Sequence, residues 1–138
     1  MILINDAARI RTWVMARTGD DFPMGCQAAL GVENAGEIVA GVVYDHYTGR
    51  CVTATIAVEH KQLPRQLIRA MFAYLFIQIM VEKVIVYVNS ANEASVNLAQ
   101  RLGFVTESVV RNVYEDGDML ILSLYKQDCG WLKELHHG

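Results

Sequence analysis

At 138 residues the chain is long enough for one domain that buries roughly two thirds of its unfolded surface. A hydrophobic share of 53% beside 20% charged residues excludes a disordered or low-complexity chain. The net charge of -3 gives no electrostatic basis for general nucleic-acid binding, and the longest apolar run, Met71 to Val81, is too short for a membrane span.

Met1-Ile2-Leu3-Ile4 reads as a short first strand. Asn5 or Asp6 can cap a helix running to about Arg17, with Ala8, Ile10, Trp13 and Val14 among its apolar residues. Thr18-Gly19-Asp20-Asp21-Phe22-Pro23 is a break rich in turn formers. Ala28 to Glu33, Glu37 to Asp45 and Cys51 to Val58 read as three strands. Asn34-Ala35-Gly36 and His46-Tyr47-Thr48-Gly49 are the hairpin-type connections between them. In the third strand Val52, Ala54, Ile56 and Val58 alternate with Thr53, Thr55 and Ala57, so its two faces differ.

Pro64 or Arg65 to about Met80 reads as the main helix. Leu67, Ile68, Met71, Phe72, Leu75, Phe76 and Ile79 fall on one broad face at helical spacing. Pro64 suits the first turn, where its missing amide hydrogen is not needed. Val84 to Val88 is a short β-branched, uncharged run that suits a strand covered on both faces. Asn92 can cap the next helix, and Gly103 can take the left-handed conformation that ends it. Val105 to Val113 and Met119 to Tyr125 read as closing strands joined by Tyr114-Glu115-Asp116-Gly117-Asp118, with Trp131 and Leu132 tucking a tail against the body. No repeat or linker divides the chain, so residues 1–138 are expected to form one domain.

Cys26, Cys51 and Cys129 are an odd set without metal-ligand spacing. A reduced, cytoplasmic setting and no metal are therefore expected. The N-terminal stretch lacks the basic start and small-residue cleavage site of a secretion leader. His136-His137-Gly138 reads as a tail rather than as ligands.

Asn92-x-x-Ser95 followed by Arg101-Leu102-Gly103-Phe104 resembles the signature of the GNAT superfamily of acyl-CoA-dependent N-acyltransferases. Phe72-Ala73-Tyr74-Leu75-Phe76, Asp116-Gly117-Asp118 and Cys129-Gly130-Trp131-Leu132 resemble a compact branch found in phage and prophage genomes. The resemblance covers most of the chain. It implies an α/β (α+β) GNAT-like fold with a mixed, mostly antiparallel central sheet flanked by helices. It also implies acetyl-CoA as co-substrate and N-acetylation of a primary amine, without metal, nucleic acid or membrane. The family's helical segment between its first two strands is longer than here. One wall of the acceptor site is therefore expected to be open or supplied by a partner chain, and a homodimer fits that expectation.

The same resemblance implies where the cofactor lies. The fourth and fifth strands splay, and the pantetheine arm pairs with the backbone of Ile56, Ala57 and Val58 like an added strand. The diphosphate meets the loop from Glu59 to Gln66, where Lys61 and Arg65 add positive charge and Leu63, Pro64 and Gln66 surround a helix N-terminus. The glycines usual in that family loop are absent here, and Pro64 lacks a donor. Asn92 and Ser95 are placed to contact the arm, to cap the helix, or both.

An amine of ordinary pKa near 10.4 needs a base at pH 7. Glu59, at the end of the fourth strand, is the candidate base, with His60 second because its charge changes near neutrality. A solvated loop is the competing reading for both. The tyrosine that many family members carry in the later helix aligns with Ala99, so Tyr114 or Tyr87 would have to substitute. Cys51 or Cys129 as an acyl carrier competes with a packing role. Tyr44, His46 and Tyr47 suit either an acceptor pocket or an exposed hairpin tip. The missing tyrosine and the glycine-free loop also fit a second class, a non-catalytic CoA-binding or protein-interaction module of the same fold.

Overall fold

The computed structural model describes residues 1–20, 28–60 and 62–137. In chain order these form β1 (Ile2–Ile4), α1 (Ala7–Thr18), β2 (Ala28–Asn34), β3 (Glu37–Asp45), β4 (Cys51–Val58) and α2 (Arg65–Ala73). They continue as β5 (Lys83–Asn89), α3 (Glu93–Leu102), β6 (Val105–Val110), β7 (Met119–Tyr125) and α4 (Gly130–His137). The seven strands make one sheet in the order β1-β2-β3-β4-β5-β7-β6. Every neighbouring pair is antiparallel except β4 and β5, which run parallel and are joined by the crossover through α2.

The helix ends follow the local chemistry of the sequence. Asp6 caps α1 by accepting from the Arg9 amide, and Gly19 closes it in the left-handed conformation. Asn92 Oδ1 accepts from the Ser95 amide at 3.1 Å, and Gly103 ends α3 at φ 107°. Two boundaries differ from expectation. β6 stops at Val110 instead of Val113, because Asn112 is left-handed at φ 58° and donates its amide to Asp118 Oδ1. The main helix changes to π-helical winding over Tyr74–Gln78, with Ile79 N bonding Tyr74 O, and Met80 at φ 56° turns the chain away.

The two sheet faces are covered unequally. On one face α2, α3 and α4 seal the main core. Leu67, Met71, Phe72, Leu75 and Phe76 pack there on Val52, Val84, Leu122 and Leu124. Phe72 stacks on Phe76 with centroids 6.0 Å apart and tilts against Phe104 at 6.5 Å. Each such fully buried side chain contributes about 1.5–3 kcal/mol. On the other face α1 packs on β2, β3 and β4, burying Ile10 and Val14 against Ala29, Val43 and Ala57.

Two glycines opposite each other, Gly31 and Gly41, make the floor under α1. A Cβ on Gly41 would stand 3.1 Å from both Ile10 Cγ2 and Val14 Cγ2. This close seat brings the C-terminal turn of α1 to the end of β4. Gly41→Val should therefore lift α1 and cost about 1–3 kcal/mol, the usual range for overpacking. Urea denaturation should show a lower midpoint with an unchanged slope. An unchanged midpoint would show that α1 has slack here.

Candidate active site

β4 and β5 pair only at Cys51↔Lys83, Val52↔Val84 and Thr53↔Ile85. Beyond that point both strands continue, β4 to Val58 and β5 to Asn89, with no ladder between them. Each is held along its outer edge. β3 pairs with β4 as far as Val58, and Glu59 N then donates to Val39 O at 2.8 Å. β7 pairs with β5 as far as Asn89, and Ser90 N then donates to Asp118 O at 2.8 Å. The strands thus part at their C-terminal ends and leave a slot.

Strand alternation fixes which backbone groups face the slot. Glu59 bonds β3, so Ala57, Thr55 and Thr53 turn their N–H and C=O groups toward β3 as well. Ala54, Ile56 and Val58 turn theirs toward the slot. By the same parity Ser90 bonds β7, so Tyr87 and Asn89 present backbone to the slot from the other bank. Ile56 and Val58 therefore turn their backbone to the slot, whereas Ala57 between them pairs its backbone with Gly41 and buries its side chain beneath α1. Ala54 and Tyr87 join the lining, and only the register of the folded sheet identifies them.

The chain leaves β4 toward the start of α2 at the mouth of the slot. Pro64 occupies the cap position without a side-chain cap bond, and no acidic residue stands in the first turn. Pro64 O accepts from Leu67 N and Ile68 N. Gln66 and Arg65 are exposed, and the Arg65 guanidinium stands 6.0 Å over the Trp131 ring of the tail. Leu63 is buried in the core, so only its backbone is available to a ligand. Lys61 lies outside the described residues. Among the described residues the positive pole of α2 thus has no side-chain cap from its N-cap residue, in contrast to α1 and α3.

Glu59 sits at the same mouth and is tied to α1. Arg17 Nε and Nη2 reach Glu59 Oε2 at 2.9 and 2.8 Å, while the guanidinium lies 3.8 Å over the Trp13 ring. His60 beside it is exposed. Across the slot, Asn92 and Ser95 form the first turn of α3 with the Asn92 oxygen engaged as its cap. Tyr87 projects from β5 and is 45% exposed. Tyr114 is half-buried in the loop after β6. Burial, reinforced by the Asp20 carboxylate, pushes its phenol above the ordinary range. Asp20, just past the C-terminal end of α1, is near enough to act electrostatically on Tyr114.

Other candidates resolve into packing. Tyr44 is fully buried, stacks on Tyr74 at 5.1 Å and donates its hydroxyl to Met71 O at 3.2 Å. It is core, whereas His46 and Tyr47 form an exposed hairpin tip at the closed end of the β4–β5 pair. Burial pushes the thiols of Cys51 and Cys129 above their ordinary range, which disfavours the nucleophilic thiolate. Cys26 lies outside the described residues. Among the described residues no cluster of three or more His, Cys, Asp or Glu could hold a metal ion, and no helix is long and apolar enough to cross a membrane.

No protein-family model matches the chain, and comparison with curated proteins returns no match. Solved structures do match. A spermidine N-acetyltransferase from Vibrio cholerae superposes with TM-score 0.77 at 15% identity, covering 98% of this chain and 99% of that one. A dodecameric form of spermidine N-acetyltransferase from the same organism gives 0.71 at 16% identity, over 91% and 94% of the two chains. The ribosomal-protein-S5-alanine acetyltransferase from Vibrio fischeri gives 0.61 at 16% identity, over 74% and 63%. The chain has the fold of the GNAT acetyltransferases.

At the end of β3, Asp45 Oδ1 is buried without a hydrogen-bond partner among the described residues, with His46 Nδ1 3.3 Å away. Burial raises the Asp45 carboxyl above the ordinary range. His46 opposes that shift, and the Asp20 carboxylate adds to it. A raised carboxyl binds its proton more tightly folded than unfolded, so ionising it costs stability. Asp45→Asn should therefore raise the Tm at pH 7. The advantage should shrink as pH falls through the raised value toward the ordinary carboxylate range. A pH-independent difference would remove ionisation as its cause.

Proposed function

We propose that this chain transfers an acetyl group from acetyl-CoA to a primary amine by direct attack on the thioester. The parting of β4 and β5 beyond Thr53 and Ile85, with the backbone of Ala54, Ile56 and Val58 turned into the gap, carries this reading. An extended pantetheine arm with its own amides can pair there as an added strand. Its diphosphate would then lie at the uncapped start of α2, near Arg65, Gln66, Lys61 and the backbone of Leu63 and Pro64. Asn92 and Ser95 would flank the arm from α3. Solved proteins of the same fold include enzymes acting on spermidine and on a ribosomal protein alanine, and both are amine acetylations.

The chemistry asked of the residues is limited. The amine nitrogen forms a bond to the thioester carbon, and the carbonyl electrons move to oxygen. An amide of the open β4 edge can donate to that oxygen; losing one such donor costs about 2.7–4 kcal/mol in known cases. The carbonyl then re-forms as the C–S bond breaks, and the leaving thiolate takes a proton from solvent. The proton lost by the amine passes to Glu59, through Oε1 because Arg17 holds Oε2, directly or by way of a water. Juxtaposition of the two substrates supplies much of the remaining acceleration. The raised thiols argue against an acyl-cysteine route.

Isothermal titration should detect acetyl-CoA binding, and an amine panel should release free thiol. No binding would refute the proposal. Binding without turnover on any amine would favour a CoA-binding module, a reading to which the buried alanine at position 99 of α3 lends support.

Glu59→Gln should lower kcat about a hundredfold, within the usual range for a general base. An unaltered kcat would exclude Glu59. Arg65→Glu should weaken acetyl-CoA about tenfold, a 1.4 kcal/mol effect. Cys51→Ala should leave kcat within about twofold, since no covalent step is assigned to it.

A further inference from the structure

Ala54, Ile56 and Val58 face Tyr87 and Asn89 across the slot with backbone groups that would continue the parallel ladder if the strands closed. Closure would satisfy those groups within the chain, so something must hold the banks apart. β4 is fixed by β3. The free end of β5 is fixed by a dense contact with the loop between β6 and β7. Asn89 Nδ2 donates to Asp116 Oδ1 at 2.8 Å, and Asn89 Oδ1 accepts from Ala91 N at 3.0 Å. Ser90 N donates to Asp118 O at 2.8 Å, and Asp118 N donates back to Ser90 Oγ at 2.9 Å. The loop is braced from within by Asn112 N to Asp118 Oδ1 at 3.0 Å and Tyr114 N to Gly117 O at 3.1 Å.

Gly117 is the point of closest approach. A Cβ there would overlap Asn89 Oδ1, and would stand 2.8 Å from Ser90 Oγ and 3.1 Å from Ala91 N. The last contact is backbone, so rotation of side chains cannot relieve it. We propose that Asn89, Ser90, Asp116, Gly117 and Asp118 form a clasp that pins the end of β5 to β7 and keeps the slot open for an extended ligand. These are positioning residues, and their use in catalysis rests on the acetyl-transfer reading above. Two separate stretches of sequence meet in the clasp, and each serves the other: the turn after β5 orders the loop, and the loop stops β5 from swinging toward β4. The same loop carries Tyr114, whose backbone the clasp holds through Tyr114 N to Gly117 O.

The test uses the full chain and Gly117→Ala, Asp116→Ala and Asp116→Asn. Amide hydrogen exchange followed by NMR in the ligand-free proteins reads the slot directly. In Gly117→Ala and Asp116→Ala the amides of Ile56, Val58 and Tyr87 should exchange at least tenfold more slowly, as the strands close on each other. Simple loosening would speed their exchange. Acetyl-CoA titration should show at least tenfold weaker binding for both variants. Asp116→Asn, which keeps an oxygen for Asn89, should stay within about twofold of wild type. Unchanged or faster exchange at Ile56 and Val58 in Asp116→Ala overturns the clasp, as does unchanged acetyl-CoA affinity. If Gly117→Ala does not fold, Asp116→Ala decides. If the wild-type chain itself binds no acetyl-CoA, the functional reading falls, while the exchange data still judge the clasp.

Discussion

Backbone left without a strand partner is the constraint around which this structure is arranged. A parallel pair in mid-sheet would normally run its full length, since each unpaired buried polar group costs about 1–3 kcal/mol. Here the pair holds for three residues and then opens. The sheet survives because each bank is satisfied on its outer side throughout the parted stretch, β4 by β3 and β5 by β7. The inner edges are therefore free to diverge without unravelling either half. What results is an edge inside a sheet, a template for hydrogen bonds that faces an occupant instead of another protein's strand.

The helix starts around this edge are not equivalent, and the difference gives the slot a polarity. α3 begins with Asn92, whose side chain satisfies one of its own first amides. α1 does the same with Asp6. α2 begins after Pro64 with no side-chain cap and no acid in its first turn. A positive helix pole left uncapped at the mouth of a cleft favours an anion at that place over its neighbours. The glycines that often make such a loop pliable are missing. The burial of Leu63 and the fixed φ of Pro64 instead bring the chain into the helix rigidly. On the proposed reading the diphosphate meets a stiff seat, with selectivity set by the shape of the turn.

Much of this fold is legible in the residues. The alternation of Val52, Ala54, Ile56 and Val58 against threonines marks β4 to its true ends, and the caps Asn92 and Gly103 bound α3. The slot itself is not legible, because register belongs to pairs of strands. Whether Ile56 or Ala57 turns its amide inward depends on Glu59 bonding Val39, a contact between residues 20 apart in the chain. The role of Gly117 is hidden for the same reason: its steric necessity comes from Asn89 and Ser90, which belong to another element. Tyr44 looks like a hairpin-tip residue by position, yet it donates to Met71 O of α2 and stacks on Tyr74, which makes it core. Arg17 reads as an ordinary last-turn cation. Only the glycine floor of Gly31 and Gly41, which lets α1 sit close, puts it on Glu59.

The unequal covering of the sheet bears on how two substrates would share one slot. Three helices fill the face behind α2, so that side offers a buried wall and a helix pole. On the opposite face α1 packs on β2, β3 and β4, and Tyr87 remains exposed on β5. A thioester arm entering beside α2 leaves its reactive end accessible from the α1 side. The groups near it are Glu59 with Arg17, Asp20, Tyr87 and Tyr114: two tyrosines, two carboxylates and one guanidinium. On the proposed reading, a cationic amine would be drawn to such a surface before it loses its proton. The donor would then be held by backbone geometry and the acceptor by charge, so the acceptor could change in the course of evolution without disturbing the sheet.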